Sequence, residues 1–123
     1  MDRSKQEKMK EANNPRSVKL ESLEDIVAYS RQFAEARGWR EYQSPKNIAM
    51  ALSVECAELV EHFQWLTAEE SQAIDGEKKL EVGDEISDVL FYLVRIADIL
   101  DIDICKAASR KAGVNERKYP LPE

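Results

Sequence analysis

The sequence is poor in residues that interrupt helices, because its 123 residues include only 4 glycines and 4 prolines. It also lacks the alternation of apolar and polar residues that is typical of β-strands, and it carries neither an internal repeat nor a heptad run. These absences favour an all-α protein. With 43% hydrophobic residues, the chain is long enough for one domain and leaves little room for a second.

Positive charge is also scarce, since 18 Lys and Arg face 24 Asp and Glu, for a net charge of -6. The basic residues form no patch, and an acidic chain repels a phosphate backbone, so we expect no nucleic-acid partner. The first 20 residues are charged from the start and contain no continuous apolar core, which excludes a secretory signal or a membrane span there. We therefore expect a cytoplasmic protein without a membrane partner.

Cysteine and histidine are nearly absent. Cys56 and Cys105 are far apart, form no Cys-x-x-Cys pair and lie in apolar helical contexts, so we expect two free thiols. The one histidine, His62, follows Leu59 by three positions, whereas a ferritin-like di-iron site needs Glu-x-x-His at that spacing. A di-iron protein of that type is therefore not expected.

Capping and stop signals divide the chain into a mobile charged tail (1–20), one domain (21–120) and a C-terminal end (121–123). We predict four helices in the domain, with the two longest about 30 Å long at 1.5 Å per residue. They run from Ser22 to Gly38, from 45 to 66, from about 77 to 100, and from 103 to near Pro120, with a short helical turn at 68–74. The expected fold is a four-helix bundle-like subunit.

Two acidic pairs lie inside the two most apolar stretches, where an unpaired carboxylate is costly to bury. Glu55 and Glu58 form one pair, Glu85 and Asp88 the other, and the i,i+3 spacing places each pair on one helical face. If the two long helices pack antiparallel, the four carboxylates converge and repel one another unless a cation neutralises them. Carboxylate oxygens are hard ligands suited to Mg²⁺ or Mn²⁺, and a nucleotide phosphate is the natural substrate for such an ion.

The same residues carry a family resemblance, because Glu55 to Glu58 followed by Glu85 to Asp88 gives the pattern E-x-x-E…E-x-x-D. This pattern resembles the signature of the MazG-like nucleotide pyrophosphohydrolases, in the branch that contains the dCTP pyrophosphatases. The resemblance runs in order from about Leu23 to Pro120. Further matching segments are Trp39, Pro45-Lys46-Asn47, Phe63-Gln64-Trp65, Ser87-Asp88-Val89-Leu90, Tyr92-Leu93, Asn115 and Tyr119-Pro120.

The resemblance implies hydrolysis of a nucleoside triphosphate between the α and β phosphates, which yields a monophosphate and pyrophosphate. Mg²⁺ is the implied cofactor, with Mn²⁺ as a substitute. Metal binding and catalysis are assigned to Glu55, Glu58, Glu85 and Asp88, any one of which could accept the proton of the attacking water.

A substrate-binding set is implied as well. Its members are Trp39, Gln43, Trp65, Asp88, Tyr92, Lys111 and Asn115, with the tryptophans flanking the base and Lys111 and Asn115 near the phosphates or sugar. Gln43 and Ser30 stand where dCTP-preferring relatives have histidine, so preference for dCTP, a modified dCTP or another base stays open.

Two further expectations concern assembly and the competing interpretation. The helix from Ile48 to Leu66 is apolar on almost every face, so we expect a dimer or a dimer of dimers that buries the remainder. The alternative function is a non-catalytic acidic helical module for protein interaction or metal binding. Exposure of either acidic pair on a solvated face would favour that alternative.

Overall fold

The computed structural model describes residues 18–123, and the predicted tail at 1–20 lies outside the described residues except for its last three positions. The described part is helical and contains no strand, which confirms the predicted all-α class. Its α-helices are α1 (Leu23–Ala36), α2 (Pro45–Glu61), α3 (Ala68–Gln72), α4 (Gly76–Ile99) and α5 (Ile104–Lys118), with a 3-10 helix (Trp39–Glu41) between α1 and α2.

The predicted helix starts are confirmed by side-chain caps. The Ser44 hydroxyl accepts a hydrogen bond from the backbone N–H of Asn47 at 3.1 Å, ahead of a proline at the first position of α2. Thr67 and Glu70 form a reciprocal capping box at the start of α3, and Asp103 caps α5. The caps satisfy N–H groups that have no partner inside the helix.

The end of α2 differs from the prediction, because the helix stops at Glu61 instead of continuing to Leu66. Beyond it, the N–H of Phe63 bonds to the carbonyl of Val60, and the N–H of Leu66 bonds to that of Phe63, each at 2.9 Å. These three-residue spacings make tight turns that break the helical ladder before Thr67 starts α3.

The core lies where α4 packs against α2 on one side and α1 on the other. The helices α2 and α4 run antiparallel, since Gln43, just before α2, contacts Arg95 near the end of α4. At the opposite end, His62 Nδ1 lies 2.7 Å from Lys78 Nζ. Val94 on α4 is fully buried. The antiparallel packing, which is the condition for the expected convergence of the acids, brings the middles of the two long helices together.

The packed unit of residues 18–123 has three helices where the sequence predicts a bundle of four. Helix α5 has no extensive packing against any other helix of the described part. Its sequence is largely charged and polar, and none of its residues is buried. It offers too narrow an apolar stripe to cover the core of one subunit.

Two long helices keep apolar side chains exposed. The exposed residues include Met50, Val54 and Val60 on α2 and Leu80, Ile86 and Leu93 on α4. The predicted apolar character of these helices is therefore only partly used inside the subunit. None of the helices in residues 18–123 combines the length and hydrophobicity needed to cross a membrane.

Candidate functional site

Three of the four predicted acids converge across the α2 and α4 interface. Glu55, Glu58 and Glu85 each place one carboxylate oxygen within 4.8 Å of the others. The first two lie one turn apart on α2, and the third comes from the facing side of α4. No lysine, arginine or histidine of the described part forms an ion pair with any of them. Their negative charge is therefore left without a compensating cation from residues 18–123.

Two oxygens of this cluster are buried. Glu55 Oε2 and Glu85 Oε1 have almost no solvent contact and no hydrogen-bond partner among the described residues. A buried acceptor without a donor costs free energy comparable to a lost hydrogen bond, and more when it is charged. Native proteins therefore keep such groups mainly where a ligand, an ion or a catalytic role uses them.

The acids also shift the pKa values of one another. The pKa of Glu55 is raised first by the adjacent Glu85 carboxyl, with which it can hydrogen-bond once one of the two is protonated, and then by burial. The pKa of Glu58 is raised mainly by hydrogen bonding and charge repulsion from Glu55. A bound divalent cation would remove this repulsion, and a set of clustered carboxylate oxygens matches the ligand preference of Mg²⁺. The residues present thus fit such an ion.

The fourth acid, Asp88, lies one turn beyond Glu85 on α4 and lines a cavity together with Glu55. Its charge contributes to the raised pKa of Glu55. Tyr92, one further turn along, has its pKa raised first by burial and then by the charges of Glu55 and Asp88. Asp88 therefore connects the acid cluster to the cavity.

The cavity has a volume of about 520 Å³, within the size range of small-molecule sites. Six of the fifteen residues that line it are aromatic, and four of their rings contact one another. The Tyr29 ring centre lies 5.8 Å from that of Phe33 and 5.9 Å from that of Phe91, while Trp39 meets Phe33 edge to face at 5.4 Å. Flat apolar walls beside a group of acids suit a planar heterocycle attached to phosphates.

A second charged group lies at the other end of the cavity. Arg95, only 7% exposed, donates from Nε to Gln43 Oε1 at 3.2 Å and from Nη1 to Asp98 Oδ2 at 2.9 Å. Arg31 makes a two-pronged hydrogen bond to the same Asp98 carboxylate. The pKa of Asp98 is lowered mainly by the Arg31 hydrogen bond. At this end of the cavity, the negative charge of Asp98 is neutralised by Arg31 and Arg95.

The structure brings part of the predicted substrate-binding set together. Trp39, Gln43, Asp88 and Tyr92 all line the cavity. Three others lie elsewhere in the described chain. They are Trp65, which is 86% exposed on the turn after α2, and Lys111 and Asn115, which are exposed on α5. A role for these three in one subunit's cavity is not seen.

Sequence reasoning missed several residues of the cavity wall. Tyr29 and Phe33 are spaced i,i+4 on α1, and that spacing fits ordinary core packing equally well. Arg95 was the stronger signal, because it is a lone positive charge within the apolar run from Val89 to Leu100. A buried charge needs a partner of opposite charge, so the position of Arg95 in this run indicates an ionic contact.

Several known proteins are similar to this chain in sequence, and one solved structure is also similar in fold. The family described as MazG-like matches residues 50–123. The chain is 37% identical over 113 residues to dCTP pyrophosphatase 1 of Bos taurus, in a match that spans 89% of this chain and 67% of the relative. It is 38% identical over 101 residues to the Homo sapiens protein of the same name, spanning 80% of this chain and 59% of that relative. A crystal structure of a pyrophosphatase from Archaeoglobus fulgidus is similar at a TM-score of 0.76 and 39% identity, covering 87% of this chain and 100% of the other.

Proposed function

Because this chain belongs to the MazG-like family, we propose that it is a Mg²⁺-dependent nucleoside triphosphate pyrophosphohydrolase. It would convert a (d)NTP, with dCTP or a modified dCTP as the first candidates, to the monophosphate and pyrophosphate. The proposal rests on the two buried oxygens of Glu55 and Glu85, which have no hydrogen-bond partner within residues 18–123 and lie beside a cavity with aromatic walls. The relatives named dCTP pyrophosphatase 1 support the choice of substrate.

The acids have two tasks in this proposal. Glu55, Glu58, Glu85 and Asp88 would hold the metal, which, when bound, supplies positive charge for the phosphate oxygens. Mn²⁺ would substitute because it accepts the same oxygen ligands. A carboxylate of this group would also take the proton that leaves the attacking water. Any of the four carboxylates could serve as that proton acceptor.

The cavity would hold the nucleoside. Trp39 and Tyr92 offer ring faces for stacking on the base, which favours binding of any base. Because Tyr92 lies one turn from Asp88, a base stacked on it would have its phosphates directed toward the acids. Burying the base between rings also displaces water from the apolar wall, which adds to affinity.

Residues of the predicted set that lie outside the cavity would act from a second copy of the chain. Exposed apolar side chains on α2 and α4 support a homodimer or a dimer of dimers, because their burial is worth about 25 cal/mol per Å². Helix α5, which has no extensive packing on another helix of the described chain, would then bring Lys111 and Asn115 to a neighbouring site. Lys111 would add positive charge near the phosphates.

The deciding experiment incubates the purified protein with each dNTP and Mg²⁺ and separates the products by anion exchange. The expected products are the monophosphate and pyrophosphate, and chelation of the metal should stop their formation. A diphosphate and orthophosphate would show that a different bond is cleaved. Binding of Mg²⁺ without turnover of any nucleotide would instead favour a metal-binding module.

A further inference from the structure

Arg95 is a buried cation in the cavity wall, and all its recorded contacts hold other side chains in place. It is 7% exposed, and Asp98 supplies the negative charge that it needs. Asp98 is held in turn by Arg31 from α1. The remaining contact of Arg95 runs from Nε to the side chain of Gln43, which also lines the cavity. The buried Arg95 guanidinium therefore orients the side-chain amide of Gln43.

That contact fixes which end of the Gln43 amide is available. An arginine side chain can only donate hydrogen bonds, so the Gln43 atom that faces Arg95 must be the carbonyl oxygen. Among residues 18–123, no acceptor takes a hydrogen bond from Gln43 Nε2. A ligand in the cavity therefore meets an amide whose uncommitted group is an N–H donor.

The donor lies at a useful distance from the acids. Asp88 and Arg95 are seven residues apart on α4, which corresponds to about 10 Å along the helix axis. Both residues line the cavity, and the rings of Tyr92 and Phe91 lie between them in sequence and line it too. With the phosphates at the acids, the base of a nucleotide reaches toward Gln43.

From these contacts we infer that Gln43 selects the base by donating a hydrogen bond to an acceptor on its edge, and that Arg95 is the positioning residue that prevents the amide from flipping. The inference rests on the proposed function. The ligand is a pyrimidine nucleotide that presents an acceptor to this donor. The acceptor that distinguishes the bases is N3 in cytosine, where uracil and thymine carry an N–H, or O4 in uracil and thymine, where cytosine carries an amino group.

The test measures kcat/KM for dCTP and dUTP in competition, with Mg²⁺ present. Gln43→Glu keeps the Arg95 contact but replaces the donor by an acceptor, so kcat/KM for the preferred nucleotide falls about tenfold while kcat changes little. A loss confined to dCTP identifies N3 as the atom that is read, whereas an equal loss with both nucleotides would mean a contact with the shared O2 and would overturn base selection by Gln43. A loss with dUTP and a gain with dCTP identify O4, because the cytosine amino group would pair with the new carboxylate.

Arg95→Met tests the positioning role. This variant frees the Gln43 amide to present either end, so the ratio of kcat/KM for dCTP to kcat/KM for dUTP moves toward one. Arg95→Lys restores part of the wild-type ratio. Arg31→Met is the matched control, since Arg31 also binds Asp98 but does not contact Gln43. It should lower stability and leave the ratio close to that of the wild type. An equal collapse of the ratio in Arg31→Met would overturn the positioning role.

The inference is overturned if Gln43→Glu and Arg95→Met both keep the wild-type ratio while turnover persists, and the proposed function then still stands. Calorimetric binding of dCMP and dUMP to the same variants measures base selection without turnover. An inactive protein that shows the predicted binding ratios would therefore refute the activity and support the role of Gln43. Gln72→Glu, on the exposed face of α3, controls for a change of charge alone.

Discussion

Two carboxylate sites on α4 have opposite electrostatic surroundings. Glu85 belongs to a cluster with Glu55 and Glu58 that receives no cation from the described residues, and repulsion raises pKa values there. Asp98, thirteen residues further along, is bound by two arginines, and its pKa is lowered. Both lie at packed helix interfaces of the same subunit.

The comparison distinguishes a carboxylate that arginines of the same subunit neutralise from carboxylates whose charge is available to a ligand. The chain compensates Asp98 with its own arginines, so that carboxylate completes a network when the protein folds. Residues 18–123 provide no such partner for the acid cluster, where folding alone brings like charges together. We therefore expect opposite responses when one acid is neutralised at each site.

The largest effect is expected at the catalytic end. Asp88→Asn should reduce turnover by more than about 100-fold, because loss of a group that merely supports a metal ligand already costs roughly 10–100-fold. Asp84→Asn is the matched control, since Asp84 is exposed one turn earlier on α4 and lines a separate groove. Steady-state kinetics measure both variants. Wild-type turnover in Asp88→Asn would show that Asp88 is not needed for catalysis. The contrast between the acid cluster and the Asp98 site would then have no functional meaning.

The second effect is on stability at the compensated site. Asp98→Asn should lower the free energy of unfolding by about 2 kcal/mol, because it leaves the buried Arg95 charge without its partner. The value lies below that for a fully buried pair since Arg31 is half exposed and solvent screens it. Urea denaturation measures the change. A loss no larger than about 0.5 kcal/mol, as for an ordinary surface substitution, would show that the network contributes little.

Metal binding should stabilise the uncompensated site. At a free Mg²⁺ concentration tenfold above Kd, binding to the folded state adds about 1.4 kcal/mol to the free energy of unfolding. Glu55→Gln should abolish this gain, whereas Glu69→Gln, on α3 and outside the cluster, should retain it. Thermal denaturation with Mg²⁺ and with a chelator provides the measurement. An equal metal effect in both variants would place the ion elsewhere.

The smallest effect is the pH dependence of the metal-free protein. Because the pKa values of Glu55 and Glu58 are raised above the ordinary 4.5, the folded state binds more protons than the unfolded chain between 4.5 and neutral pH. Stability should therefore increase as the pH falls from neutral toward 4.5. The lowered pKa of Asp98 has the opposite sign, and its contribution is lost as the pH falls below the ordinary value of 3.8.

Glu58→Gln checks that assignment. The variant should be more stable than the wild type without metal at neutral pH, since it removes one of the repelling charges, and its pH dependence above 4.5 should be weaker. Melting curves over a series of buffers supply the data. A Glu58→Gln protein that is less stable than the wild type would mean that the acids do not repel one another in the folded state.

The acid cluster could be predicted from sequence because its signal is local. The i,i+3 spacing fixes the relative positions of Glu55 and Glu58 on one helix, and apolar neighbours indicate that the face packs against another helix. Helix starts were equally accessible, since Ser44 and Thr67 cap through hydrogen bonds to residues three positions away. Each of these features depends on short separations in sequence.

The features that escaped prediction depend on distant contacts. Gln43 and Arg95 are 52 positions apart, so their hydrogen bond follows only from the packing of α2 on α4. The early end of α2 was missed because the apolar residues from Phe63 to Leu66 continue the helical pattern, although the backbone has already turned. Trp65 is assigned to the base by the family resemblance alone, and in the structure it lies outside the cavity.

The two tryptophans of the chain give it a built-in optical reporter. Trp39 borders the cavity, with its ring against Phe33, whereas Trp65 stands 86% exposed on a turn away from it. A molecule entering the cavity would quench or shift the emission of Trp39, whereas a response of Trp65 would report contact from a second copy of the chain. Replacing Trp65 by phenylalanine would yield a single-fluorophore protein in which occupancy of the cavity can be followed in real time without a label.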